Sequence, residues 1–298
     1  MMDNIVNKNA LKRAKATNSF MTIFFYIIAG IFLFLLLTIF IYILYAGFHN
    51  FSLPLLAFNH SGIGNQLFNT IYLVVLALLF STPVGMLAGI YMAEYAKPGK
   101  LLTILRMCIE TLSSLPSIVV GLFGYLVFIV MTGMQWNLLA GALAVSILNL
   151  PLIASTTEDA LRTLPIGYKQ GSYGLGATKW QTIWHILLPA AIPQIMTGVI
   201  LAAGRTLGEA AALMFTAGMS TDISWKSTDI TSPTNPWNPI RSGETLALYI
   251  WGARTEALNM NAEQMANLSA AILLLLILVF NLSARLISKY LVNYSQGK

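Results

Sequence analysis

Two charged residues, Arg205 and Glu209, lie inside an apolar segment of this 298-residue chain, and they could bind an anion. A charged side chain at bilayer depth costs about 2.5–3.5 kcal/mol on insertion scales, so such residues usually face a protein interior or a water-filled cavity. The planar guanidinium of Arg205 donates N–H groups in a fork that matches the oxygens of a phosphate-like anion. Because the two residues are four positions apart, they are predicted to share one helix face. Two interpretations stay open: a self-neutralising pair that fixes packing, or an arginine that faces a path for anions.

Motifs for other chemistry are absent from the sequence. No Gly-x-x-x-x-Gly-Lys-Ser/Thr segment occurs, so the chain is predicted not to bind ATP through a P-loop. The three histidines (His49, His60 and His185) and the single cysteine, Cys108, lack metal-ligand spacing. No Ser–His constellation suggests nucleophilic catalysis. We therefore predict neither an enzyme nor a cofactor or metal site, and we expect Cys108 to be a small buried residue.

The elements that position Arg205 are predicted to be membrane helices. The chain is 57% hydrophobic and 9% charged, whereas a soluble domain carries about 25% charged residues. A spanning helix needs about 20 mainly apolar residues. Six segments meet this requirement: roughly 20–47, 67–93, 112–132, 138–157, 190–218 and 265–288. The predicted fold class is an all-α polytopic membrane protein with about six transmembrane helices.

The positive charges predict the orientation of these helices. With the N-terminus inside, 13 of the 17 Lys and Arg residues fall in cytoplasmic segments and 3 in outer segments. This asymmetry favours two cytoplasmic termini and explains the net charge without nucleic-acid binding. The predicted organisation is a cytoplasmic tail (1–19), a first transmembrane helix (20–47) and a core (67–289) with a cytoplasmic loop (158–189) and an outer loop (219–264). Apolar residues at helical spacing predict an amphipathic helix within 244–260 of the outer loop.

The cytoplasmic loop has features of a folded docking surface. Pro165 suits the first position of a short helix, and Gly167, Gly171 and Gly174 would lie on one face of it. Each glycine costs roughly 1 kcal/mol against alanine in a helix, so a strip of them suggests that another surface approaches the backbone. Gly176 is predicted to be the left-handed residue that ends this first arm.

A second arm of the loop is predicted to begin at Thr178, because Thr178 and Gln181 form a capping-box pattern. The apolar residues that follow have helical spacing and include Trp180 and Trp184. The sequence therefore predicts an amphipathic helix whose tryptophan face lies toward the membrane.

The segment from Gly176 to Pro189 also carries a family resemblance. Its pattern of Gly176, Ile186, Leu188 and Pro189 resembles the EAA loop of importer-type ABC permeases, the coupling helix that docks into the ATPase subunit. The family's Glu-Ala-Ala triplet is replaced here by Gln170-Gly171-Ser172, so its acidic residue is absent. Four segments resemble the phosphate ABC transporter permeases of the PstA type: Ala88–Ala96, Leu115–Phe123, Gly174–Ile183 and Gly204–Ala212.

The resemblance implies a type I ABC importer permease for inorganic phosphate in the bacterial plasma membrane. It implies a homologous permease partner in a heterodimer, two ATP-binding subunits and an extracytoplasmic phosphate-binding protein. A charged pair at the position of Arg205 and Glu209 is likewise associated with transport in the family. The residues expected to contact the ATPase are Gln170, Gly171, Ser172, Gly174, Gly176 and Ala177.

Alternatives remain open at this stage. The chain could be a permease for another oxyanion, such as sulfate or molybdate, or the partner permease of the same system. An ion-coupled secondary transporter is a further alternative, although it predicts inverted repeats and the sequence has no clear internal repeat.

Overall fold

The computed structural model describes residues 8–49, 51–59, 62–255 and 262–295, and the regular elements in these ranges are all helices. In chain order the α-helices are α1 (Lys8–Phe48), α2 (Gly64–Ile90), α3 (Lys100–Ser114), α4 (Ser117–Tyr125), α5 (Leu138–Arg162), α6 (Ile166–Gly174), α7 (Lys179–Thr182), α8 (Leu188–Leu207), α9 (Ala211–Thr216), α10 (Leu246–Thr255) and α11 (Ala262–Ser295). Turns of π-helix extend α2, α4 and α7: Tyr91–Tyr95, Leu126–Val130 and Ile183–Leu187. A 3₁₀ turn, Leu53–Leu56, precedes α2. The predicted all-α fold class is confirmed.

Within the described ranges, five helical segments are long and apolar enough to cross a membrane. They are Leu11–Phe48, Gly64–Tyr95, Leu138–Arg162, Lys179–Leu207 and Ala262–Leu286. The pair α3 and α4 makes a sixth span if it is taken as one bent element. This agrees with a polytopic protein of about six spans, but the third and fifth predicted spans lie elsewhere.

The third predicted span, 112–132, is broken by a sharp bend. Helices α3 and α4 meet at 97° across Leu115 and Pro116. Proline disfavours the helical conformation of the residue before it, and Leu115 is extended with a ψ of 132°. Pro116 is thus an interruption, as its presence in the span indicated, but the predicted bounds were wrong, because the bent element begins at Lys100 and ends at Val130. Helix α3 occupies part of the predicted cytoplasmic segment, and Cys108 on it is exposed rather than buried as predicted.

The fifth span lies about three helical turns earlier in the chain than the predicted range 190–218. It runs from Lys179 to Leu207 because α7 and α8 join through a π turn into one helix. Pro189 has no N–H to donate, and the π turn directly before it carries the helix past this position. At the other end, Gly208 caps α8 and the chain leaves the helix until Ala211. A break therefore stands where a continuous helix was predicted.

Helix α5 is the central element and packs against α2, α4, α8 and α9. Small residues allow the close approach of α2: a Cβ on Gly89 would lie 2.5 Å from the Cβ of Thr157 and 2.6 Å from the carbonyl oxygen of Ala154. Gly121 of α4 faces the backbone of Ala212 in the same way. Such small-residue contacts are typical of membrane bundles. Helix α1, in contrast, packs on α11 and leaves its apolar side chains exposed.

The segment between α9 and α10, which was predicted to lie outside, folds onto the beginnings of α2 and α5. Arg241, only 2% exposed, donates hydrogen bonds to two backbone carbonyls and to the amide oxygen of Asn69. The carbonyl of Arg241 accepts a hydrogen bond from the N–H of Leu138 at 2.9 Å. Glu244 is buried and accepts one from Gln66 at 3.1 Å. The predicted outer loop is thus tied down as an ordered cover.

The amphipathic helix predicted within 244–260 corresponds to α10, Leu246–Thr255. Its residues Leu246, Ala247 and Leu248 are buried, and the helix packs on α11 and α2. The last residues of the predicted helix, 256–260, lie outside the described residues.

Replacing Gly89 by valine should destabilise the bundle, because the added side chain would overlap Thr157 and the backbone of α5. Overpacking of this kind costs about 1–3 kcal/mol, so the midpoint of thermal unfolding in detergent should fall by several degrees. Gly30→Val is the matched control, since a Cβ on Gly30 meets no atom within 4 Å. Equal unfolding midpoints for the two variants would contradict the close packing of α2 on α5.

The stability of the outer cover should depend on pH through Glu244. Burial raises the pKa of Glu244 to about 7 from its ordinary value of 4.5, and the hydrogen bond from Gln66 opposes this shift. A carboxyl whose pKa is raised by folding contributes stability that is complete below pH 4.5 and is lost as the pH rises through 7. Glu244→Gln should therefore flatten the dependence of the unfolding midpoint on pH and raise stability at pH 8 by about 3 kcal/mol, at about 1.4 kcal/mol per pKa unit.

The control for this measurement is Glu263→Gln, because the Glu263 carboxylate is 74% exposed. Its pH profile should match that of the unsubstituted chain. A Glu244→Gln profile parallel to the unsubstituted one would show that Glu244 does not titrate with folding.

Candidate functional site

Arg205 lies in the last turn of α8 and is exposed on the surface of the chain. Its guanidinium has no hydrogen-bond or ion-pair partner in the part of the chain that the structure describes. Gln194 and Thr197 are exposed as well, and their spacing puts them on the same face of α8 as Arg205. The exposed face of α8 therefore carries three polar residues, which we call the polar stripe, with the half-exposed Leu201 between Thr197 and Arg205. The stripe ends in a cation that has no partner among the described residues.

A hydrogen bond fixes the depth of Arg205 in the bundle. The next residue, Thr206, accepts a hydrogen bond from the side-chain amide of Asn149 at 2.9 Å. Asn149 lies near the middle of α5, about 18 Å from either end of that helix at 1.5 Å per residue. Arg205 is therefore at mid-depth of the bundle. Lipid cannot cover a charge at this depth without a large cost, so protein or water must cover this face.

Glu209 does not share a helix with Arg205, because α8 ends at Leu207. It stands in the break between helices, and its carboxylate accepts the N–H of Ala212 at 3.2 Å at the start of α9. The predicted shared helix face was wrong, and the structure shows no ion pair between Arg205 and Glu209 among the described side chains. Each charge instead complements a helix dipole, the cation at the end of α8 and the carboxylate at the start of α9.

The first arm of the cytoplasmic loop is α6, which begins one residue after Pro165. Pro165 is thus the cap of the helix rather than its first residue as predicted. A Cβ added to Gly167, Gly171 or Gly174 would meet no atom within 4 Å. The three glycines form an open strip of bare backbone, which we call the glycine strip.

The turn between the two arms has the predicted geometry. Gly176 has a φ of +81°, in the left-handed region, and its N–H donates to the carbonyl of Tyr173 at 3.0 Å. Thr178 and Gln181 form the predicted capping box: the Gln181 N–H donates to the Thr178 hydroxyl, and the Thr178 N–H donates to the Gln181 side chain at 2.8 Å. These confirmed features fix the direction in which α7 leaves α6.

The second arm is the beginning of the fifth span rather than a separate interfacial helix. Ile183 and Leu187 are buried against α2 and α5. Trp180 and Trp184 are exposed and pack edge to face, with ring centroids 5.4 Å apart. The predicted apolar stripe is therefore divided between aliphatic residues that enter the bundle and tryptophans that lie on its surface.

The residues expected to contact an ATPase do not all lie on the surface. Gln170 and the glycines of the loop are exposed, and Ala177 is half-buried. Ser172 is only 3% exposed, and its hydroxyl lies 2.8 Å from that of Thr182. Ser172 therefore joins the two arms instead of presenting its side chain to a partner. An open groove of about 460 Å³ lies between the arms, with Leu175 at its rim 91% exposed.

Sequence reasoning missed a charged cluster where α3, α5 and the end of α2 meet. Buried Glu158 accepts hydrogen bonds from Arg106 at 3.2 Å and from Arg162 at 2.8 Å. Arg162 also donates to the carbonyl of Met92 at the end of α2, at 2.9 Å. Only the spacing of Glu158 and Arg162, four residues on a helix, could have indicated part of this cluster. Among the described residues, no group of three His, Cys, Asp or Glu side chains could hold a metal ion.

Comparison with solved structures identifies the fold. A bacterial ABC transporter involved in the import of the polysaccharide alginate matches with a TM-score of 0.65 at 16% identity, over 94% of this chain and 99% of that one. The MetNI methionine ABC transporter matches with a TM-score of 0.56 at 18% identity, over 81% of this chain and 99% of that one. At these identities the likeness shows the fold alone, which is that of type I ABC importer permeases.

Sequence comparison identifies the family. The probable ABC transporter permease protein YqgI of Bacillus subtilis is 46% identical over 225 residues, 75% of this chain and 76% of that protein. The phosphate transport system permease protein PstA of Yersinia pestis is 38% identical over 172 residues, which is 58% of this chain and only 57% of that protein. A family model, "Binding-protein-dependent transport system inner membrane component", matches residues 85–293. The chain belongs to this family and is a multi-pass, PstA-type ABC importer permease.

Proposed function

We propose that this chain is one of two permease subunits of a bacterial inner-membrane importer for inorganic phosphate, and that Arg205 contacts the anion. The observation that carries the proposal is the unpaired guanidinium, exposed at mid-depth of the bundle. A guanidinium at such a place can donate a fork of hydrogen bonds to a tetrahedral oxyanion. The PstA relatives, named as phosphate transport permeases, support phosphate as that anion.

The position of Glu209 suits a path that must release its cargo. The carboxylate stands in the break between α8 and α9, four residues after Arg205, where it would repel a multivalent anion and limit the strength of binding. On this proposal, Arg205 attracts phosphate and Glu209 shortens the time for which phosphate remains bound.

The polar stripe of α8 supports a path that is shared with a second permease. Gln194, Thr197 and Arg205 lie on a face that this chain leaves exposed. A homologous permease that presents its own polar face there would enclose a water-filled path between the two subunits. The chain would then form half of the path, in a heterodimer.

The glycine strip supports docking of a separate ATPase. Bare backbone in open space lets another surface approach closely. Of the exposed residues in the predicted docking set, Gly171 and Gly174 belong to the strip, and Gln170 and Gly176 are close to it in the chain. Two ATP-binding subunits below the bundle would supply the energy, because the sequence has no P-loop. An extracytoplasmic phosphate-binding protein would deliver the anion to the outer cover.

A permease for another oxyanion is the second candidate, since a guanidinium suits sulfate or molybdate as well as phosphate. Competition for uptake in vesicles distinguishes these anions. An ion-coupled secondary transporter would continue uptake after ATP depletion and stop when the ion gradient is lost.

Arg205→Ala should reduce ATP-dependent phosphate uptake by roughly a hundredfold, because the loss of a desolvated charge-assisted contact costs about 2–5 kcal/mol. Uptake is measured in vesicles that contain the complex purified with this chain. Arg285→Ala is the matched control, since Arg285 is also exposed and also has no partner among the described residues, but lies near the end of α11. Normal uptake by an assembled Arg205→Ala complex would refute the role of Arg205.

Gly171→Leu should uncouple ATP hydrolysis from uptake while the chain stays folded. The added side chain enters open space and improves helix propensity, so only a partner that approaches the glycine strip would be obstructed. Phosphate transported per ATP hydrolysed should fall about tenfold, within the usual range of coupling between sites. Gly30→Leu, also in open space but on α1, should leave this ratio unchanged. An unchanged ratio in Gly171→Leu would place the docking surface elsewhere.

A further inference from the structure

Both arms of the cytoplasmic loop are attached to the inner end of α2. The ammonium of Lys169, on α6, forms an ion pair with the carboxylate of Glu94 at 2.6 Å. Lys179, at the start of α7, donates a hydrogen bond to the backbone carbonyl of Glu94. The same ammonium lies 4.7 Å from the centre of the Tyr95 ring. Two lysines from two arms thus converge on the π turn that ends α2.

The ion pair is costly to break because of where Glu94 lies. Its side chain is 5% exposed, and it stands at the carboxyl end of α2, where the helix dipole disfavours negative charge. A buried charge that loses its partner is strongly destabilised. The carboxylate therefore depends on Lys169, and α6 cannot separate from α2 without breaking a buried pair.

Lys169 lies on the side of α6 opposite the glycine strip. At 100° per residue, Lys169 is about 160° from Gly167 and from Gly171 around the helix axis. One face of α6 is therefore open, and the other is fastened to α2. A force applied at the open face would reach α2 through Lys169.

Helix α2 is in turn locked to the central helix. Gly85 and Gly89, about two and a half and one and a half turns before Glu94, lie against Ile153 and Thr157 of α5. A displacement of the π turn that ends α2 would therefore be passed on to α5 and would not be absorbed within α2.

We propose that Glu94, Lys169 and Lys179 form the link through which the cytoplasmic loop moves the inner end of α2. The inference rests on the proposed docking of an ATPase at the glycine strip. The three residues are positioning residues, because they act through α2 and contact no cargo.

The test compares three variants in the complex that purifies with the chain. Glu94→Gln with Lys169→Gln removes both charges at once and leaves no lone buried charge. Lys169→Arg keeps the positive charge. Lys97→Gln is the matched control, because Lys97 is an exposed lysine near Glu94 with no partner in the described residues.

Two measurements are made on each complex. The first is phosphate uptake per ATP hydrolysed in vesicles. The second is hydrogen–deuterium exchange of the loop (166–176) and of the inner end of α2 (91–96), before and after addition of a non-hydrolysable ATP analogue. The exchange measurement does not depend on which anion is carried.

In the unsubstituted complex and in Lys97→Gln, the analogue should change exchange in both segments. In the double variant the loop should still respond while 91–96 no longer does, and uptake per ATP should fall about tenfold. Lys169→Arg keeps the positive charge, so it should retain most of the exchange response of 91–96 and most of the uptake per ATP.

Each other outcome decides a different point. A response of 91–96 in the double variant equal to that of the unsubstituted complex overturns the link and leaves docking intact. If the exchange of the loop in the unsubstituted complex does not change when the analogue is added, both the docking and the link are overturned. Normal exchange responses without phosphate uptake refute phosphate as the cargo and support the link.

Discussion

A guanidinium at mid-depth of an apolar bundle, without a partner among the described residues, constrains the rest of this structure. The bond between Asn149 and Thr206 holds Arg205 at that depth, and the end of α8 at Leu207 places the cation where the helix dipole favours it. Lipid is excluded as its surroundings by the cost of the charge. The exposed face of α8 therefore needs a covering other than lipid. A second permease, with water between the two subunits, would provide it.

The same helices connect this surface to the cytoplasmic loop. The loop is fastened to the inner end of α2 through Glu94, α2 packs on α5 through its glycines, and α5 holds the turn of Arg205 through Asn149. A contiguous series of contacts thus runs from the glycine strip to the proposed path. Contiguity alone is not coupling, which requires an element with two arrangements that both ends influence. Helix α2 is our candidate for that element.

Local sequence signals predicted local structure well. The capping box at Thr178, the left-handed turn at Gly176 and helix α10 each depend on a few neighbouring residues, and all three were found. Two prolines show the limit of prediction from such local signals. Pro116 ends a helix and turns the chain by 97°, whereas the helix continues past Pro189, because a π turn precedes it. Both prolines follow a leucine, so the residue directly before the proline does not distinguish the two cases.

The site was predicted only in part, because residue spacing does not show a helix break or a contact between residues far apart in the chain. Arg205 stands out as a charge in an apolar run, but its separation from Glu209 depends on a break at Gly208 that the spacing did not show. The pairing of Glu94 with Lys169 joins residues far apart in the chain, so no periodicity could indicate it. Ser172 has the position of a family contact residue yet is buried by Thr182 across the turn.

The most direct test of the central claim is the access of water to position 205. The chain has one cysteine, so Cys108→Ser gives a background in which Arg205→Cys and Gly30→Cys each carry a single thiol. A water-soluble methanethiosulfonate reagent reacts with thiolates, which form in water and not in lipid. In the assembled complex, the account predicts rapid modification of Arg205→Cys and none of Gly30→Cys, which faces away from the bundle on α1. A failure of Arg205→Cys to react in the assembled complex, although the same thiol reacts once the protein is unfolded, would contradict the account, because the face of α8 would then be closed to water.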